Sequence, residues 1–292
     1  AQPDSNGNDG GRGGDGGELT VFNRGVIAVQ SDAPGANQNE IFGISLSSRG
    51  GDGGDMNGGA GDQKGGNGGD AKQVSVTNYD SGTIRLGGSE DDLLAAPNGA
   101  RAITIYAAGG DGGSENGAGG AGGTINVFND GAIEMFLDVS DPADDPQRSV
   151  AGIYAHSQGG VGQPSQDNSD PGGKGEPGRP IHLQNSGSIL IYAPSLTADY
   201  GAQEGSAAMF ALSQGGDGGA SPDKNVGGAG GGAAVDTSGA QQTIFLENDT
   251  GTIETHGHGI SGMIGLARGG DGGDGNDGSG SRGGAGGRGG DV

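Results

Sequence analysis

The 292-residue chain holds 74 glycines, 6 Phe, 5 Tyr and no Trp, with hydrophobic residues at 29%, so a thick globular core is excluded while a narrow one is not. A formal charge of −23, from 37 acidic against 14 basic side chains, repels phosphate backbones and anionic lipid surfaces, which argues against nucleic acid as a partner. There is no cysteine for disulfide or thiolate chemistry, and no apolar run approaches the roughly 18 residues of a membrane span.

Residues 1–17 are a glycine-rich end segment whose start, Ala1-Gln2-Pro3, reads as a processed or excised product and carries secretion as an inference. Five repeats follow. In the first, 18–72, apolar residues alternate at Leu19 and Val21 up to Asn23, Gly25 leads to Ile27, and Ile44-Ser45-Leu46 centres a third apolar stretch. The second, 73–123, restates this as Val74, Val76 and Asn78, then Gly82 to Ile84, then Ile103-Thr104-Ile105; the third, 124–180, as Ile125, Val127 and Asn129, then Gly131 to Ile133, then Ile153-Tyr154-Ala155. The fourth, 181–242, has Ile181, Leu183 and Asn185, then Gly187 to Ile189, then Met209-Phe210-Ala211; the fifth, 243–292, has Ile244, Leu246 and Asn248, then Gly251 to Ile253, then Ile264-Gly265-Leu266. Period-two alternation is a strand signal, so each repeat is expected to supply three short strands to one coil of an all-β, repetitive β-solenoid.

The Asn positions recur at steps of 55, 51, 56 and 63 residues. Composition alone would suggest disorder, but a linker has no reason to repeat a patterned strand in phase. Coils stacked at the strand spacing of about 4.8 Å would bring Asn23, Asn78, Asn129, Asn185 and Asn248 into one column, whose amides can hydrogen-bond along it as in stacked sheets. A residue needed once for chemistry would not recur in every repeat, so this column reads as structural.

Between the repeats run glycine-rich excursions with a three-residue rhythm, such as Gly50-Gly51-Asp52-Gly53-Gly54-Asp55 and Gly65-Gly66-Asn67-Gly68-Gly69-Asp70. That period is the signature of polyproline-II-type legs, and two legs per excursion predict out-and-back hairpins packed as a bundle flanking the solenoid. The alternative is a flexible glycine loop, since ordering glycine costs entropy.

Asp52, Asp111, Asp217 and Asp271 hold the same place in four repeats, with Val161 in the remaining one. Stacked carboxylates repel, so either they splay into solvent or a cation such as Ca²⁺ bridges them; no cofactor is otherwise required. His256 and His258 lack Cys or further His partners nearby and read as a surface loop. Asp141, Asp144 and Asp145 sit beside Pro142 and Pro146 with no neighbouring Arg, Lys or aromatic platform for a sugar, so an enzyme is not expected.

The segments Gly152-Ile153-Tyr154-Ala155-His156-Ser157-Gln158-Gly159-Gly160 and Ala208-Met209-Phe210-Ala211-Leu212-Ser213-Gln214-Gly215-Gly216, with Asn185-Ser186-Gly187-Ser188-Ile189 and its equivalents, resemble the repeats of large bacterial autotransporter adhesins. The resemblance covers about residues 18–292. It implies a right-handed parallel β-helix, export across the outer membrane, and an extracellular role at a cell surface or in a matrix, where a surface or polysaccharide would be the partner. With glycine-rich segments at both ends in place of polar caps, the chain is expected to be part of a longer passenger or a subunit that stacks head to tail with copies of itself. Two other readings share the glycine legs: an ice- or surface-binding protein, which calls for a flat face of Thr or Ala where this chain has Asp, and a phage-type receptor-binding adhesin, which calls for variable loops at one tip.

Overall fold

The computed structural model describes residues 9–30, 40–55, 64–96, 98–139, 149–165, 171–196, 206–221, 227–232, 244–275 and 283–287. Among them the chain is all-β, without a helix. The first repeat contributes β1 (Leu19–Asn23), β2 (Val26–Val29) and β3 (Ile41–Arg49); the second β4 (Val74–Asn78), β5 (Thr83–Leu86), β6 (Leu94–Ala95) and β7 (Ala100–Ala108). The third contributes β8 (Ile125–Asn129), β9 (Ala132–Asp138) and β10 (Val150–Gln158), and the fourth β11 (Ile181–Asn185), β12 (Ser188–Tyr192) and β13 (Ala207–Gln214). The fifth has β14 (Ile244–Asn248), β15 (Thr252–His256) and β16 (Ser261–Arg268).

These strands form three parallel sheets, and each sheet takes one strand from every repeat in chain order: β1-β4-β8-β11-β14, β2-β5-β9-β12-β15 and β3-β7-β10-β13-β16. We call them sheets A, B and C. Equivalent residues pair across repeats, Val74 with Ile125 and Asn78 with Asn129 in sheet A, Ile84 with Ile133 in sheet B. The alternation read from the sequence decides this register, because a slip of one residue would turn every apolar side chain outward. The short strand β6 was not legible as part of the repeat; it pairs with the end of β9 at Leu137 and Asp138.

The inward positions of all three sheets share one narrow core, with Val74, Val76, Ile84, Leu86, Ile103 and Ile105 of the second repeat fully buried. Burying such a side chain contributes roughly 1.5–3 kcal/mol, and stacking of like on like continues the core through the repeats. Sheet C departs from simple alternation. Gly43, Ala102 and Gly152 drop out of its register, so that two successive residues, Ala102 and Ile103, both face the core. A Cβ at Gly152 would lie 2.8 Å from Ile189 Cγ2, which is why a small residue recurs there. Sheet C also buries part of its other face: Ala207, Phe210 and Leu212 form a second apolar cluster with Tyr154, Ile264 and Leu266.

The glycine-rich legs are cross-linked by backbone hydrogen bonds. Among the described residues an outgoing glycine-rich leg follows each strand of sheet C, and a return leg leads directly into β4, β8 and β11. In the Gly109-Gly110-Asp111 triplet, the Gly109 N–H donates to the Gln158 carbonyl of the following repeat (2.9 Å) and the Gly110 N–H to the Gly69 carbonyl of a return leg (2.9 Å). The third N–H, of Asp111, donates to the Asp52 carboxylate of the preceding repeat at 3.0 Å. Every donor of the triplet is thereby paired, as buried backbone requires. The legs lie so close that a Cβ on Gly110 would stand 2.1 Å from the Gly51 carbonyl oxygen.

Candidate functional site

The five asparagines form a continuous amide chain. Asn23 Nδ2 donates to Asn78 Oδ1 (2.8 Å), Asn78 to Asn129 (2.7 Å), Asn129 to Asn185 (2.6 Å) and Asn185 to Asn248 (2.6 Å). All the bonds run in one direction, and the three central residues are fully buried. At the ends the leftover groups turn back locally: Asn23 Oδ1 accepts the Gly25 N–H at 3.2 Å and Asn248 Nδ2 donates to the Gly251 carbonyl at 2.9 Å. The glycine that follows an asparagine faces the column itself in the second and fifth repeats, where a Cβ on Gly82 would fall 2.3 Å from Asn78 Oδ1 and one on Gly251 2.3 Å from Asn185 Nδ2. The arrangement leaves no coordination position for a ligand among the central amides.

The repeated aspartates have a definite task as well. Asp52 Oδ1 accepts the Asp111 N–H, Asp111 Oδ1 the Val161 N–H (2.9 Å) and Asp217 Oδ1 the Asp271 N–H (2.8 Å). Asp55, Asp70 and Asn67 do the same for Ser114, Ala121 and Ala118. The backbone donor holds Asp55 below the ordinary carboxylate range, and Asp15, bonded by the Lys72 ammonium and the Asp70 N–H, is lowered to about 2. Carboxylates at the third position of the triplet therefore serve as caps for the one N–H that no glycine carbonyl reaches, which accounts for much of the acidity of the legs. Among the described residues no three His, Asp or Glu side chains converge as a metal site. His256 Nε2 pairs with Glu254 at 2.7 Å on the surface; Asp141, Asp144 and Asp145 lie outside the described residues.

A feature that sequence reasoning missed lies on the outer face of sheet C. Side chains from all five repeats wall a cavity of about 370 Å³. Arg101 crosses it nearly buried, its Nε and Nη2 donating to Ser149 Oγ (3.1 and 2.8 Å) and its Nη2 pairing with Glu40 at 3.2 Å. Its guanidinium stacks 4.0 Å over the Tyr154 ring, whose plane is parallel to Phe210 at 5.1 Å. Next along the face, His156 is 7% exposed, packs against Tyr106 at 4.8 Å, and neither of its ring nitrogens has a hydrogen-bond partner. Burial, reinforced by the charges of Arg268 and Arg101, depresses its pKa to about 4, so the ring is neutral. Leu212, Gln214 and Arg268 complete the wall.

Parallel register is what assembles this group. Tyr106 pairs with His156 and His156 with Leu212, while Gln214 pairs with Arg268. The signal was present in the sequence as the positions one and three residues before each Gly-Gly pair, but their side-chain identity varies from repeat to repeat, so they do not stand out as a repeated motif. No protein-family model, no curated protein and no solved structure matches the chain.

Proposed function

We propose that this chain is an extracellular structural or adhesive building block that works by assembly: a right-handed β-solenoid, flanked by a bundle of polyproline-II-type legs, stacking end to end on copies of itself into a cell-surface or matrix fibre. The observation that carries this reading is glycine with no internal reason to be glycine. In the interior repeats, a Cβ on Gly69, Gly82 or Gly131 would meet neighbouring atoms at 2.1–2.3 Å. Their first-repeat counterparts Gly14 and Gly25, and Gly17 on the same edge, have nothing within 4 Å. They present the same bare backbone outward, beside Phe22 and Val26, which are 60% and 72% exposed.

The opposite end complements it. Among the described residues β14, β15 and β16 are each the last strand of their sheet, and an edge of that kind accepts another parallel strand as every interior edge does. Asn248 Nδ2 gives one N–H to the Gly251 carbonyl and has a second, for which Asn23 Oδ1 on the next copy would supply the acceptor that each interior amide finds on its neighbour. The joint between copies thus repeats the joint between repeats, a heterologous contact that propagates without closing.

The Gly14→Val, Gly17→Val double variant tests this, because neither side chain meets an atom of its own chain. Light scattering and negative-stain microscopy over rising concentration are expected to show filaments for the native chain and monomers for the variant. A native chain that stays monomeric at every concentration, or a variant that polymerises equally well, refutes the reading.

A further inference from the structure

The outer-face cavity has chemistry that assembly does not use, and all of its walls belong to one chain. We propose that it binds a neutral pyranose, a hexose ring presented singly or within an uncharged polysaccharide. At about 370 Å³ the space is at the small end of ligand pockets and suits one saccharide ring and not a folded partner. Neither guanidinium in the wall waits for an anion: Arg101 is paired with Glu40 at 3.2 Å and bonded to Ser149, and Arg268 is engaged in an interaction of its own. The unmet need lies with uncharged groups.

His156 defines that need. A neutral imidazole has one N–H donor and one lone-pair acceptor, and both nitrogens here are buried without a hydrogen-bond partner. A bare anion offers acceptors only and a cation at most donors, so each answers half of the ring. Adjacent sugar hydroxyls answer both halves, and the Gln214 carboxamide in the same wall adds a further donor and acceptor. Shape narrows the choice. A flat heterocycle calls for a parallel aromatic face, but both faces of Tyr154 are taken, one by the Arg101 guanidinium at 4.0 Å and the other by the parallel Phe210 ring at 5.1 Å. Leu212 and Tyr106, the latter tilted by 58° against the imidazole, remain to meet the C–H face of a puckered ring. Tyr106, 36% exposed, is also the wall member placed to turn aside and open the imidazole nitrogens to the ligand.

The test is titration of the native chain with D-glucose, D-galactose and D-mannose, followed by calorimetry and by the ring resonances of His156, with D-glucuronate, sulfate and uracil as comparison probes. Because the site is complete within each chain, dilute protein serves, and the outcome does not depend on end-to-end stacking. At least one of the three hexoses is expected to bind saturably, to shift the His156 resonances, and to bind about tenfold or more weakly to His156→Phe, a loss in keeping with hydrogen bonds to one side chain. His156→Phe keeps a ring against Tyr106 and removes the two unpartnered nitrogens, so it should resist urea at least as well as the native chain, which separates a ligand-binding role from a structural one. Tyr106→Ala should weaken the same hexose without loss of the folded spectrum. Tighter binding of glucuronate or equal binding of sulfate makes charge the determinant, and equal binding of uracil removes the role of the hydroxylated ring; either result overturns the proposal. So does a failure of all three hexoses to bind, or binding that leaves the His156 resonances unmoved or that His156→Phe retains in full.

Discussion

Replacing Asn129 by alanine interrogates the amide column at its centre. Asn129 is fully buried, accepts from Asn78 Nδ2 at 2.7 Å, and donates to Asn185 Oδ1 at 2.6 Å and to the Gly131 carbonyl at 3.3 Å. Truncation strips two buried neighbours at once: Asn78 Nδ2 keeps only a 3.4 Å approach to the Ala132 carbonyl, and Asn185 Oδ1 loses its amide donor. Orphaning a buried polar group costs roughly 1–3 kcal/mol, so the two together predict a loss of about 2–6 kcal/mol. The same change at Asn23, at the edge of the stack, removes one bond of the column and orphans one buried group, the Gly25 N–H that it also frees being exposed, and is expected to cost about half as much. Asn129→Asp should be at least as harmful as alanine, since the carboxylate accepts from Asn78 but cannot donate to Asn185 and brings an unpaired buried charge. Urea denaturation followed by far-UV circular dichroism on dilute protein would rank the variants. If Asn129→Ala costs no more than Asn23→Ala, the column is not a cooperative chain of buried amides and the reasoning fails.

Gly110→Ala places a Cβ 2.1 Å from the Gly51 carbonyl oxygen, and since backbone must move, a loss of roughly 2–4 kcal/mol is expected; Gly14→Ala, with nothing within 4 Å, should be neutral or gain about 0.4–1 kcal/mol through the unfolded chain, and equal effects at both positions would contradict the close packing of the legs. Val161 breaks the carboxylate series, so Val161→Asn, which copies the way Asn67 caps the Ala118 N–H at 3.2 Å, should offer an acceptor to the Asp217 N–H and raise stability by about 1 kcal/mol, read as a higher urea midpoint; a lower one refutes the capping role. The pH dependence has a defined sign. His156 falls from an ordinary 6.5 to about 4 on folding, so the unfolded chain binds the extra proton and stability drops as pH falls from about 6.5 toward 4, by up to roughly 3 kcal/mol. Asp15 acts in a lower window, its stabilisation being lost as pH falls from 3.8 toward about 2. Glu176, raised by burial and by Asp70, opposes the histidine by favouring the folded state as pH falls. The difference between native chain and His156→Gln across pH 6.5–4 isolates the histidine, and identical slopes would show that it does not titrate as a buried group.

Much of the framework was legible because it repeats. Alternation at Leu19 and Val21, or Val74 and Val76, names the inward face of a strand whatever surrounds it, and five recurrences of Asn before a glycine announce a column because parallel stacking of like on like is the one arrangement that satisfies all five amides. The triplet rhythm likewise announced legs with two glycines and one polar residue. The capping task of the third residue was not legible: Asp52 and Asp111 read as carboxylates that splay into solvent or share a cation, and in three dimensions each also accepts a backbone N–H of the next repeat within 3.0 Å.

What the sequence determined by itself is therefore the part set by local period: strand positions, their facing, and the order of repeats. Tertiary structure decided everything that depends on unlike residues meeting. Arg101, His156, Leu212 and Arg268 come from four repeats and share no motif, yet parallel register sets them on one face of sheet C around a single cavity. Periodicity reports what recurs from repeat to repeat. A site made from the differences between repeats becomes visible only when the register is known, because the side-chain neighbours across a parallel sheet lie some fifty residues apart in the chain and a strand spacing apart in space.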